Sequence, residues 1–127
     1  MSEADIKSIG AIDAVVNIWT DEALAYRPDW RNSFYSGKMK VDRKTADGIS
    51  MEEMLRRMDA SGIERAFLIA AKVGRLGHPS TYHLPYRVVY DAVQKYPDRF
   101  FGVAGIDPFE GMKGVREVQG AVEEDGF

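Results

Sequence analysis

Arg65-Ala66-Phe67-Leu68-Ile69-Ala70-Ala71 is the stretch on which the fold turns. Ala66 to Ala71 is the longest wholly apolar run in the chain, closed by Arg65 on one side and Lys72 on the other. It is near-continuous rather than alternating, the pattern of a strand covered on both faces in a parallel sheet. Two further runs have the same character: Ala11 to Trp19 (AIDAVVNIW) and Phe100 to Ile106 (FFGVAGI). Run length and β-branched or aromatic content favour strand over a short buried helix.

Helical patterns lie between these runs. Ser50 precedes Met51-Glu52-Glu53, which reads as a capping box with Glu53 three residues after the cap. Met51, Met54, Leu55 and Met58 then recur at helical spacing as core positions, and Gly62 provides the stop. A second helix is expected from Pro85, with Tyr86, Val89, Tyr90 and Val93 on its apolar stripe, ending before Pro97. A third runs from about Met112 to Glu124, with Val115, Val118 and Val122 on one face and Gly126 as terminator. Asp21 to Gly48 shows no periodicity and reads as a long loop. Its Tyr26, Trp30, Phe34 and Tyr35 imply that it packs on something. Gly102 and Gly105 read as strand residues that allow close backbone approach.

Strands alternating with helices mean βαβ units, a parallel sheet and right-handed crossovers. A three-stranded parallel sheet leaves two long edges of unpaired backbone groups. The expected fold class is therefore α/β, the N-terminal part of a TIM (β/α)8 barrel with about three parallel βα units. Residues 1–127 are expected to form one partial barrel domain continuing beyond the C-terminus, since a complete barrel needs about 250 residues.

Composition narrows the function classes. The 127 residues are 45% hydrophobic and 29% charged, ordinary for a globular chain. Against 17 Lys+Arg stand 20 Asp+Glu, a net charge of −3, which argues against a nucleic-acid partner. The absence of cysteine removes disulfides, thiolate metal sites and thiol catalysis. No run is long enough to span a bilayer, and MSEADIKSIG lacks the apolar core of a signal peptide. No membrane partner and a cytoplasmic location are expected.

Ile12-Asp13-Ala14-Val15-Val16-Asn17-Ile18-Trp19 resembles the opening strand of the amidohydrolase superfamily, closest to its amidohydrolase-related, aminocarboxymuconate-semialdehyde decarboxylase-like branch. Members usually open with Ile-Asp-x-His-x-His and an aromatic. Met54 to Ala66 is similar to that family's helix and Gly-Ile turn before the second strand. Tyr96-Pro97-Asp98-Arg99-Phe100, with Gly102 to Pro108, resembles its third strand and the preceding turn. Order and spacing carry more of the likeness than any one motif. The resemblance implies a divalent metal such as zinc, held in part by the two first-strand histidines. Here those positions are Val15 and Asn17: valine cannot coordinate, and an amide oxygen is a weak ligand for zinc-type ions. No residue of this chain is therefore assigned to a metal, and the cofactor is left open.

In a barrel, groups at the C-terminal ends of strands face the active site. That rule selects Asn17 with Trp19 and Thr20, then Lys72 with Arg75, then Asp107. Lys72 and Arg75 suit a carboxylate, Arg being the better bidentate partner, and both also fit a solvated loop. Asp107 is a candidate general base, and before Pro108 it also fits a turn start. His78 and His83 lie in the loop after the second strand, where His83 is the better placed to act and Tyr82 beside it to touch substrate. The candidate catalytic residues are Asp107, His83 and Lys72; the candidate substrate contacts are Asn17, Trp19, Arg75 and Tyr82. No phosphate-binding glycine motif occurs.

The resemblance implies a hydrolase or non-oxidative decarboxylase acting on a small carboxylated, cyclic or aromatic compound, active only in the full-length protein. The alternative is a non-catalytic homologue of the same fold serving as a binding or assembly subunit, since fold alone does not choose. Exposed apolar edges give the isolated segment a tendency to self-associate, and a homo-oligomer is compatible with that.

Overall fold

A computed structural model describes residues 10–127. Most of the polar opening segment, read above against a signal peptide, falls at residues 1–9, outside the described residues. Three strands, β1 (Ala11–Val16), β2 (Ile63–Ala70) and β5 (Phe100–Ala104), form one sheet in the order β1-β2-β5, parallel throughout. Two residue pairs, β3 (Lys72–Val73) and β4 (Tyr82–His83), form a separate antiparallel hairpin. Three longer helices cross between strands or follow them: α4 (Met51–Ala60), α5 (Tyr86–Lys95) and α6 (Met112–Glu123). The protein is thus α/β with a parallel three-stranded sheet. No helix among the described residues is long and apolar enough to cross a membrane.

The core lies on one face of the sheet. Ala66, Leu68 and Ala70 of β2 are buried there with Phe100 of β5, against Met54 and Met58 of α4 and Val88, Val89 and Ala92 of α5. Alternate residues of a strand point to opposite faces, and among the described residues nothing covers the other face. Phe67 and Ile69 of β2 are half-buried, while Ile12, Val15, Phe101 and Val103 are exposed. The near-continuous apolar runs are therefore covered on one face, not on both as their pattern suggests.

Local signals placed α4 well. Ser50 Oγ accepts from the Glu53 N–H at 3.1 Å, and Gly62 takes the positive φ of 71° that ends the turn. The Glu53 carboxylate is drawn instead to Arg56 and Arg57, at 2.7 and 2.8 Å. Gly105 is needed for close approach, since a Cβ there would meet the Ala70 carbonyl at 2.4 Å.

Elsewhere the structure departs from the sequence reading. β1 ends at Val16, not Trp19, because its register shifts between Asp13 and Val16 and the chain then turns, sending Ile18 into the core. Residues 21–48 are not a loop but a string of short turns: α1 (Asp21–Ala25), α2 (Arg31–Ser33), a π turn (Phe34–Lys38) and α3 (Arg43–Ala46). Thr20 and Asp42 cap two of them through Ala23 N–H at 3.3 Å and Thr45 N–H at 3.0 Å. As expected, the aromatics there pack, with the Trp19 and Tyr35 rings 4.6 Å apart edge-on. On α5 the buried stripe is Val88, Val89 and Ala92, with Tyr90 only half-buried. On α6 Val115 and Val122 face outward and the docked positions are the small Gly114 and Ala121. Small residues let a helix axis come closer to its neighbours than valine would.

Two outcomes follow. Leu68 is fully buried whereas Val15 is 68% exposed, so urea unfolding of this 127-residue chain should show Leu68→Ala destabilised by about 2–5 kcal/mol and Val15→Thr by under about 0.5 kcal/mol. Equal losses would contradict a one-sided core. The start of α4 is tied to the end of α5 by Glu52, whose carboxylate accepts from the Tyr96 hydroxyl at 2.6 Å and from Lys95 at 2.9 Å. These bonds hold its pKa down from 4.5 to about 2. A depressed acid contributes stability above its unfolded pKa and loses it as pH falls through the folded one. Glu52→Gln should therefore flatten part of the fall in melting temperature between about pH 4.5 and 2. Superimposable curves for the two proteins would show that the clamp contributes nothing.

Candidate functional site

Asn17, Lys72 and Asp107 each follow the C-terminal end of a parallel strand, so all three stand at the same edge of the sheet. The β3–β4 hairpin at that edge decides what each touches. Lys72 pairs with His83 across the hairpin and Val73 with Tyr82. Cross-strand partners share a face, and sequence neighbours do not. Tyr82 and His83 are therefore sent into two different surroundings.

On one side lies an acid–base cluster. His83 Nε2 is 3.4 Å from Asp107 Oδ2, and the two side chains are only 9% and 3% exposed. The Asp107 carboxylate is fixed by its other oxygen, which accepts from the Phe109 N–H at 2.9 Å and caps the turn Pro108–Glu110. His83 Nε2 also lies 3.0 Å from the Gly74 carbonyl. Glu110 completes the group: one ligand atom from each of His83, Asp107 and Glu110 lies within 4.8 Å of the others. Lys113 binds Glu110 Oε1 at 2.7 Å and, with lesser pulls from Lys72 and His83, holds that carboxyl below its ordinary range.

Lys72 belongs to the same side but is already engaged. Its ammonium sits 3.1 Å from Glu117 of α6 and over the Tyr86 ring of α5 at 5.0 Å. It follows the parity of Ala66, Leu68 and Ala70, and so faces the helices. The Tyr86 hydroxyl donates to the Gly105 carbonyl at 2.5 Å, and burial first, then Glu117 and Glu110, pushes its phenol up. A cleft of about 520 Å³ opens here, bordered by Lys72, His83, Tyr86, Glu110, Lys113 and Glu117. That volume suits a small ligand.

The other side is organised by Arg27, a residue that no motif or strand end singles out. Its guanidinium donates to Tyr35 Oη at 2.6 Å and to Asn17 Oδ1 at 3.3 Å. It also lies over the rings of Trp19 and Tyr82, at 4.9 and 5.2 Å. Burial pushes the Tyr82 phenol up, against the pull of Arg27. Trp19 Nε1 donates to the Thr45 carbonyl at 2.6 Å. Three of the candidate substrate contacts, Asn17, Trp19 and Tyr82, are thus gathered, around a cation that lies ten residues after Asn17 and inside the segment read as loop.

Arg75 joins neither group. It is exposed on the segment between β3 and β4, where its carbonyl accepts from Thr81 Oγ1 at 2.8 Å. His78 is exposed on the same segment and accepts from the Ser80 N–H at 3.2 Å. Glu110, like Arg27, carried no sequence signal beyond a carboxylate one turn after Asp107.

No protein-family model, curated protein or solved structure matches the chain.

Arg27 spans four side chains from three segments, so its loss should loosen Trp19. In a Trp30→Phe background, Arg27→Ala should raise acrylamide quenching of the remaining tryptophan by about twofold, because the guanidinium that covers its ring and ties it to Tyr35 and Asn17 is lost. Unchanged quenching would show that the aromatic packing holds Trp19 without the guanidinium.

Proposed function

We propose that the three βα units are part of a (β/α)8 barrel of the amidohydrolase-related type, and that the full-length protein is a cytoplasmic hydrolase or non-oxidative decarboxylase. Its substrate is a small carboxylated, cyclic or aromatic compound. The observation that carries this reading is the buried His83–Asp107 pair at the C-terminal edge of parallel strands, where barrel enzymes place their chemistry. The uncovered apolar face supports the barrel, since in a closed sheet Ile12, Val15, Phe101 and Val103 would fill the interior.

The metal that the resemblance implies does not fit its usual first-strand position. Val15 offers no ligand atom, and Asn17 Oδ1 already accepts from the Arg27 guanidinium, whose charge opposes a second cation. In the reading proposed here, Asp107 Oδ2 and His83 Nε2 share the proton work across their 3.4 Å separation. The Phe109 N–H holds the Asp107 carboxylate in place, and Lys72 is a positioning residue that fixes Glu117 beside the cleft. Arg75, free on its loop, supplies the charge that meets the substrate carboxylate.

A second reading, a non-catalytic homologue that binds or assembles, is favoured by one specific observation: Lys72 and Glu110 are each already paired within the chain. Turnover decides between the two. The full-length protein, screened against cyclic lactones, amides and aromatic carboxylates, should convert at least one class. Asp107→Asn and His83→Gln should each lower kcat by about 100-fold or more, and Arg75→Ala should raise KM with little change in kcat. Wild-type turnover by both Asp107→Asn and His83→Gln would overturn the assignment, and binding without turnover would establish the second reading.

A further inference from the structure

From the acid–base cluster we infer that His83, Asp107 and Glu110 form a binding site for one divalent transition ion of the zinc or manganese kind, distinct from the first-strand position. The ion would take the same His83 Nε2 and Asp107 Oδ2 to which the proposed reaction gives the proton work, so the metal-loaded and proton-transferring forms exclude each other, and the site is tested by binding, apart from turnover.

Four observations converge on it. The donors come from two separate places in the chain, β4 and the turn Pro108–Glu110 with its cap Asp107, yet each brings a ligand atom within 4.8 Å of the other two. The 3.4 Å between His83 Nε2 and Asp107 Oδ2 is long for a hydrogen bond. It matches the spacing of two ligands each about 2.1 Å from a tetrahedral ion, which lie about 3.4 Å apart. Both of these side chains are more than nine-tenths buried, so neither is a mobile surface group that happens to lie nearby. Finally, Glu110 Oε1 is taken by Lys113, whereas Oε2 is shut off from solvent and has no hydrogen-bond partner among the described residues. A buried carboxylate oxygen left unpaired is costly, and a cation would satisfy it.

The charges around the site agree. Asp107, Glu110 and Glu117 face Lys72 and Lys113 within the linked set of ion pairs, leaving one negative charge in excess. One imidazole with two carboxylates suits zinc, iron or manganese better than calcium or magnesium, which take oxygen alone. The Gly74 carbonyl, 3.0 Å from His83 Nε2, is a further oxygen at hand. In the metal-free protein it accepts from Nε2–H; to ligate an ion through Nε2 the neutral ring would carry its proton on Nδ1 instead, which frees the Nε2 lone pair.

The test is a calorimetric titration of the chelator-stripped full-length protein with zinc chloride and with manganese chloride. Cobalt(II) is added in parallel for its visible absorption. One ion per chain is expected, with cobalt giving the absorption of an N/O site. His83→Gln and Asp107→Asn should each weaken binding by more than about 100-fold, beyond what outer partners give, and Glu110→Gln by about tenfold or more. His78→Ala should bind as the wild type does. Because Asp107 also caps its turn, His83→Gln and Glu110→Gln carry the test if Asp107→Asn does not fold. The site is overturned if the wild type takes up no ion, if His83→Gln and Glu110→Gln retain full affinity, if His78→Ala abolishes it, or if calcium or magnesium is preferred.

Discussion

The whole arrangement depends on the packed face of β2. Ala66, Leu68 and Ala70 alternate small, large, small along that face, and all three are closed to solvent. Two alanines let the helices α4 and α5 approach the strand, and one leucine fills the space between them with Met54, Met58 and Val89. The register then fixes both neighbours, with β1 and β5 each running parallel to β2. Once three parallel strands share that face, their C-terminal ends lie along one edge. The chemistry-bearing residues collect there because the chain must turn at each strand end, and turns are where Asp, His and Lys are tolerated.

The hairpin adds the second constraint. Its strands are two residues long, so it stabilises little by itself, but its pleat separates two adjacent side chains. Tyr82 goes to Arg27 and the aromatics, His83 to Asp107 and Glu110. The tight passage at Gly105, whose N–H donates to Ala70 at 3.1 Å and whose carbonyl takes the Tyr86 hydroxyl, draws the end of β5 against β2 and sets Asp107 opposite the hairpin. The approach of His83 to Asp107 is thus a product of backbone geometry in three elements.

Where local chemistry decides, the sequence was readable. Ser50 capping α4, Gly62 ending it, the close approach at Gly105 and the order of strands and helices follow from rules that act over a few residues. The end of β1 did not, because its register shift depends on what β2 presents. The string of turns over 21–48 is held by isolated caps at Thr20 and Asp42 and by contacts such as Trp19 with Tyr35, which leave no period to detect. At the site, Asp107 and His83 could be picked by residue type and position near strand ends, and the structure brings them together. Arg27 and Glu110 could not, since their significance lies in neighbours that are distant in sequence or newly placed by a turn. The valines of α6 misled for a related reason: helical periodicity marks an apolar face but not the side on which a partner lies.

Strand parity has a last consequence for the site. Lys72 continues the parity of the packed face, which is why its ammonium meets Glu117 and Tyr86 on the helix side of the sheet. Phe67 and Phe101, with rings 5.4 Å apart, continue the opposite parity onto the uncovered face, where Arg65 lies 5.8 Å over the Phe101 ring. An apolar face of this kind is costly in water and calls for a cover, whether further strands or a second surface. Whatever covers it meets the Phe67–Phe101 side, while the cleft beside His83 and Glu110 opens toward α6. Covering the sheet and filling the cleft are therefore separate events on opposite sides of one strand layer.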